Sequence, residues 1–322
     1  MQNRHLRGIT FTALVVISSL VPALTSNAYY LQVLISIYIL IMLSSGLRLM
    51  ASVEALSVAQ AAFFGMGAYT SALLMTKMGW NFWWTFPLAG VVAGCAALLV
   101  GVPTLRLRGV YFIMVTTALN EVIRMIWINW PDIFGGIAGI INIPRPHAIG
   151  RLSFGSLSTF YYLPLLSMFL AIAVIARVYR SQYGVLLQSI AQCEELAQAV
   201  GINIMRYKVE VFVTGSFFAG LAGAIFASSQ RAIFPDDFGF LLSVNIIVYA
   251  VVGGLKDSLG PVCGVFFLVG LSVLLKHMPH YDPKVEPLIL GLFLIIAVIG
   301  FPSGLMGLPE RIRSFKRGRG KR

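Results

Sequence analysis

The side chains able to do chemistry are few and scattered. The 322-residue sequence holds 4 His, 3 Cys and 12 Asp plus Glu. His5, His147, His277 and His280 all fall outside the long apolar runs or at their ends, whereas an intramembrane enzyme needs clustered His, Asp or Ser within them. His277-Met278-Pro279-His280 with Asp282 has the residue types of a metal site. The proline breaks helical spacing and no further ligand is apparent, so an external turn is the better reading. Cys95, Cys193 and Cys263 lie far apart with no CxxC pair, which argues against a disulfide framework or a zinc site. No GxxxxGK[ST], HExxH or GxSxG occurs, so the chain has no P-loop to cradle ATP phosphates. No catalytic residue, metal or cofactor is expected. The energy for any work must come from another polypeptide or from an ion gradient.

One charged pair stands out by its position. Glu121 and Arg124, with Asn120 beside them, interrupt the apolar run 110–128. Their spacing of three puts them on one helix face. At 1.5 Å per residue from Gly109 they lie about 18 and 22 Å along the helix, past the midplane of a bilayer. A charge at that depth is costly and faces a protein interior or a cavity. Two roles fit: a polar patch beside a translocation path, or a structural ion pair that locks this helix to its neighbours.

The elements that must position such a pair follow from composition. Hydrophobic residues make up 58% and charged residues 11%, with a mean hydropathy of +0.85. Soluble domains carry about 25% charge. A soluble enzyme, a disordered chain and a fibrous protein are all excluded, and an all-α, polytopic membrane protein is expected. A crossing helix needs roughly 20 apolar residues. About ten runs qualify: 8–25, 31–50, 55–76, 85–104, 110–128, 160–179, 208–229, 241–256, 260–276 and 287–302. The apolar runs are unbroken rather than alternating, which argues against strands. The first could pass for a signal peptide, but it is long for one, and an uncleaved span is the better fit. Gly253-Gly254 and Gly260-Pro261 predict a tight hairpin between the eighth and ninth runs. Small residues such as Gly65, Gly67, Gly90, Gly94, Gly215, Gly220 and Gly223 predict close helix contacts.

The net charge of +12 is uneven, and the basic tail 310–322 contributes +6 of it. The cations sit mostly at the ends of apolar runs, where lipid headgroups explain them better than nucleic acid does. With the N-terminus inside, the inner loops collect Arg4, Arg7, Arg48, Arg106, Arg108, Arg177, Arg180, Arg206, Lys208, Lys256 and the tail. The outer loops hold only Lys77, Arg145, Arg151, Arg231, Lys276 and Lys284. The positive-inside rule therefore places both termini in the cytoplasm. Glu54, near the inner face, reads as a cap or a partner of Arg48. Residues 1–309 form one transmembrane domain, with a long external loop at 129–159 and an internal segment at 180–207.

That internal segment has helical character of its own. Leu186, Leu187, Ile190, Leu196, Ala197 and Val200 recur at helical spacing, and Gly201 follows where a left-handed cap wants glycine. A helix lying on the membrane surface shows a basic polar face. This one shows Glu194 and Glu195, so a groove on a protein partner is the better explanation.

The string Glu195-Leu196-Ala197, three residues, then Gly201 resembles the EAA loop of ABC importer permeases, with Leu196 where that loop has its middle alanine. Leu105-Arg106-Leu107-Arg108-Gly109-Val110-Tyr111-Phe112, Ala62-Phe63-Phe64-Gly65-Met66-Gly67-Ala68-Tyr69, Ala219-Gly220-Leu221-Ala222-Gly223-Ala224 and Phe301-Pro302-Ser303-Gly304 resemble the LivM-type permease family, in its order, over about 56–308. The resemblance implies one half of the pore of a branched-chain amino acid importer in the bacterial inner membrane. It also implies partners: two ABC ATPase subunits gripping Glu194, Glu195, Leu196, Ala197 and Gly201, a second, LivH-like permease, and a periplasmic solute-binding protein. The family's external Thr-Gly-Gly-x-Asp/Asn-Gly pattern reads Phe134-Gly135-Gly136-Ile137-Ala138-Gly139 here, which leaves urea, amides or another amino acid open as substrate. A secondary transporter is the competing class, but it has no use for the internal helices.

Overall fold

The computed structural model describes Pro22, residues 27–53, 55–148, 154–255, 257, 259–276 and Gly291. Apart from Pro22 and Gly291, the expected spans 8–25 and 287–302 lie outside these residues, as do the His277–Asp282 turn, the Glu54 cap and the basic tail. Helices α1 (Ala28–Ala51), α2 (Gln60–Lys77), α3 (Phe82–Thr104) and α4 (Val110–Asn129) are followed by a single turn at Pro131–Phe134. After strand β1 (Ile140–Ile141) come α5 (Tyr162–Arg180), α6 (Gln182–Gln192), α7 (Glu194–Ala199) and α8 (Ile204–Gln230). Strand β2 (Ala232–Ile233), a 3-10 turn at Pro235–Phe238, α9 (Phe240–Gly253) and α10 (Gly260–Lys276) complete the order.

The described chain is helical, as a lipid-embedded backbone must be to satisfy its own hydrogen bonds. Each expected run between the first and last coincides with a helix, the run 55–76 only from Gln60 and the run 241–256 only up to Gly253. The expected count of about ten crossings is not reached among the described residues: 6 helices are long and apolar enough to cross a membrane. α2, with 18 residues, is buried on most sides and rich in Gly and Ala, so it needs less hydropathy. Gly260–Lys276 is a shorter apolar helix. Asn27, Asn81 and Asn203 start three of the helices, each side chain accepting a backbone N–H from the first turn.

α8 is the axis of the bundle and packs against α1, α2 and α3. Small residues allow this. Gly215 lies against the backbone of Gly46, Gly220 against Ala89 and Gly90, and Gly223 against Phe64. Gln60, fully buried, wedges beside the Gly46–Gly215 contact and donates to the Leu43 carbonyl at 3.4 Å. The predicted α9–α10 hairpin is present, with Gly253 packed on the backbone of Gly260. It leans on α1, where Arg48, almost fully buried, donates Nε to the Leu255 carbonyl at 2.9 Å. α4 is the least buried of the six long apolar helices.

Strands were not expected, and one short ladder exists. β1 pairs antiparallel with β2, Ile140 opposite Ile233 and Ile141 opposite Ala232. It pins the 129–148 loop to the α8–α9 connection, outside the apolar helices. Two-residue strands carry no periodicity that a sequence could announce.

Candidate functional site

The first group sits at the far end of α4. Asn120 is buried and donates Nδ2 to the Phe238 carbonyl at 3.3 Å, while its Oδ1 has no hydrogen-bond partner. Arg124 donates Nε to Glu121 at 2.9 Å and Nη1 to Asp236 at 2.6 Å. One guanidinium thus bridges two carboxylates, tying α4 to the Pro235–Phe238 turn. The ion pair that the locking alternative calls for is present in this geometry. The carboxylates are nonetheless open on their outer sides: the Glu121 side chain is 36% exposed and that of Asp236 80%. Half-open charge at membrane depth requires a cavity or another chain beside it rather than lipid.

Next to this patch in the chain, around Trp127 and Phe238, lies an aromatic cluster. Tyr69 stacks on Trp127 with ring centroids 4.6 Å apart, and Phe238 and Phe134 meet Tyr69 edge-on. The Tyr69 hydroxyl is buried with no hydrogen-bond partner. Sequence reasoning named Asn120, Glu121 and Arg124 but missed Asp236 and Tyr69, which lie far away in the chain. The only signal was Pro235-Asp236-Asp237, a proline-led turn with acidic residues.

The external loop explains its own glycines. Gly135, Gly136 and Gly139 all have positive φ, at 81°, 59° and 65°. A side chain on Gly139 would run into the Ile233 carbonyl across the ladder. The glycines therefore serve the backbone path, which only glycine follows without strain. Ile137, between them, is 76% exposed.

The second group is the 180–207 segment. Its amphipathic pattern becomes two helices, α6 and α7, broken by Cys193 in an extended conformation. Leu187 and Ile190 of α6 are buried against the bundle. Tyr183 donates its hydroxyl to Glu210 at 2.9 Å, and burial, followed by the Glu210 carboxylate, pushes this phenol well above its ordinary range. It stays protonated and donating throughout the physiological range.

α7 ends in a tight cap. The Gly201 N–H donates to the Gln198 carbonyl at 2.9 Å and the Ile202 N–H to Ala197 at 3.1 Å, with Gly201 at φ 89°. This is the paired arrangement that a left-handed glycine permits. The expected apolar set divides here. Ala197 faces in, whereas Leu196 is 64% and Val200 76% exposed, four residues apart on one side of the knuckle. Glu195 is exposed too. Glu194 is not: its carboxylate pairs with Arg108 at 3.1 Å and with Lys208. The two adjacent acids thus point to different tasks, which their neighbouring positions could not reveal. Among the described residues no cluster of three metal-ligating side chains occurs.

Comparison with known proteins extends this picture. The family model "Branched-chain amino acid transport system / permease component" matches residues 29–298. The high-affinity branched-chain amino acid transport system permease protein LivM of Salmonella typhimurium strain LT2 is 31% identical over 307 residues, covering 88% of this chain and 71% of the relative. LivM of Escherichia coli K12 gives the same identity and coverage. A probable LivH permease of Methanocaldococcus jannaschii is 23% identical, covering 66% of this chain and 69% of the relative. No solved structure matches the chain significantly. With apolar helices long enough to cross a bilayer and a family match that runs over nearly all of them, the chain is a multi-pass membrane protein and belongs to the permease component family of branched-chain amino acid transport systems.

Proposed function

We propose that this chain is one half of the pore of an ATP-driven importer for branched-chain or closely related amino acids. It works in the bacterial inner membrane with a second, LivH-like permease, two ATPase subunits and a periplasmic binding protein. Residues 1–309 form the permease domain and 310–322 a basic cytoplasmic tail, with both termini inside. No covalent chemistry falls to this subunit.

The observation that carries the reading is the α6–α7 knuckle. It stands outside the apolar helices, its end is fixed by the Gly201 cap, and it presents Leu196 and Val200 beside Glu195. Exposed apolar side chains on a rigid protruding helix suit a groove on a partner protein. ATP-driven closure of two such partners would pull on the knuckle and tilt the helices behind it. A secondary transporter gains nothing from such a feature.

Asn120, Glu121 and Arg124, with Asp236, are the section of the translocation path contributed by α4. An amino acid carries one ammonium and one carboxylate, and the patch offers carboxylates and a guanidinium of opposite sign. The exposed Ile137 in the external loop supports an apolar side chain or binding-protein surface as its neighbour, within which urea, amides and other amino acids stay as competing substrates.

The test is purification of the tagged chain with its co-expressed partners, followed by uptake into proteoliposomes. Two nucleotide-binding subunits and a second permease should co-purify, and labelled leucine should enter only with ATP. Leu196→Asp should strip the ATPase subunits while leaving the chain in the membrane. Entry of solute without nucleotide rejects the reading.

A further inference from the structure

Glu194 is held where a docking contact would not be. It is the first residue of α7, directly after the extended break at Cys193. Its two carboxylate oxygens go to cations on different elements. Oε2 pairs with Arg108, in the loop that leads into α4, and Oε1 pairs with Lys208, in the second turn of α8. The Glu194 side chain is 19% exposed and Lys208 12%.

The surroundings of this triad are poorly filled. A cavity of about 280 Å³ lies on one side, bounded by Val53, Ala55, Leu105 and Phe112. A wider one of about 640 Å³ lies on the other, bounded by Arg106, Gln198, Asn203 and Met205. Glu194, Arg108 and Lys208 line both. α7 is therefore not seated flush on the bundle. Beside these open clefts, the ion triad bridges it to the helices that enter the membrane. An apolar contact can slide as a helix shifts. Lys208 is largely buried, and separating it from the Glu194 carboxylate would leave a buried cation uncompensated, so the pair moves together.

We infer that Glu194 is a positioning residue that ties the knuckle to α4 and α8 and carries its movement into them, while Glu195, Leu196 and Val200 hold the motor. The inference rests on the reading of 180–207 as the ATPase-docking segment. The Lys208 arm is the stronger, because Arg108 is 68% exposed and its pair is screened by solvent.

The complete reconstituted transporter tests it with three measurements: co-purification of the ATPase subunits, ATP hydrolysis and solute uptake. Glu194→Gln should keep the ATPase subunits bound and hydrolysing while uptake falls roughly tenfold, the size of a typical coupling between sites. The exchanged pair Glu194→Lys with Lys208→Glu, made together with Arg108→Gln so that no cation faces the introduced lysine, should restore most of the uptake, which a simple packing role would not do. Unchanged uptake in Glu194→Gln, loss of the ATPase subunits from it, or an exchanged pair no better than the single variant each overturns the inference. Should Glu194→Gln fail to accumulate in the membrane, the exchanged pair decides alone: uptake supports the tie and inactivity overturns it. Retention of the ATPase subunits by Leu196→Asp overturns the docking reading instead, a result separable from any outcome at Glu194.

Discussion

Gly67 of α2 and Gly220 of α8 meet backbone to backbone, so closely that a methyl group on Gly67 would overlap the Gly220 carbonyl. In a bilayer, lipid tails are as apolar as leucine, and helices associate through such close packing rather than through a hydrophobic drive. Gly67→Ala must push the two helices apart. The expected cost is about 1–3 kcal/mol. Gly94→Ala is the control, because its nearest foreign atom, Val213 Cγ1, lies at 3.6 Å, an ordinary contact. Thermal unfolding in detergent should show a lower Tm for the first and little change for the second.

Arg48 lies over the ring of Tyr179, its guanidinium carbon 4.1 Å from the ring centroid, and Tyr179 donates its hydroxyl back to the Arg48 carbonyl at 3.2 Å. Together with the bond to Leu255 this fastens α1, α5 and the α9–α10 hairpin at one end of the bundle. Arg48→Lys keeps the charge but loses the planar stack and the Nε donor. Tyr179→Leu should cost about 1–2 kcal/mol, the range of a desolvated cation–π contact. Arg48→Lys should reproduce most of that loss in the same unfolding measurement, and a wild-type Tm would refute the fastening role.

The Glu121–Arg124–Asp236 network predicts an ordered series. Arg124→Gln leaves two carboxylates facing each other without their shared cation. Asp236→Asn removes only the more open of the two carboxylates and leaves the Glu121–Arg124 pair in place. Uptake and protein yield should fall most in Arg124→Gln and least in Asp236→Asn. Glu121→Gln distinguishes path from lock: a path residue lowers uptake with the complex intact and ATP hydrolysis retained, and a lock lowers assembly. Unchanged uptake and assembly would remove both roles.

Gly201 predicts a local effect. No foreign atom lies within 4 Å of a Cβ built there, so a side chain meets no clash. The cost is conformational only, because the φ of 89° is unfavourable for other residues by roughly 1–2 kcal/mol. Gly201→Asn should be milder than Gly201→Val, since asparagine tolerates left-handed backbone. Amide hydrogen exchange across 194–202 should rise in that order, with the membrane helices unaffected.

Much of the frame was legible in the chain. Long apolar runs have one physical solution in lipid, although three of the helices begin a few residues before their runs, at Asn27, Asn81 and Asn203, whose side chains satisfy free N–H groups. The 180–207 helices and the Gly201 cap were legible for the same local reason: periodicity and backbone handedness belong to a few successive residues. Glu121 and Arg124 share a turn, so their pairing was legible too.

What the sequence could not hold is which distant groups meet. Asp236 joins Arg124 across 112 positions, and Arg48 reaches the Leu255 carbonyl across 207. Glu194 and Glu195 are chemically identical neighbours, yet consecutive helical residues point about 100° apart. Whether each meets a cation or solvent depends on where α4 and α8 bring Arg108 and Lys208. Local preferences set by sterics, hydration and hydrogen bonding are written residue by residue. The contacts between elements are written only once the glycines of α1, α2 and α8 have let those helices close on one another.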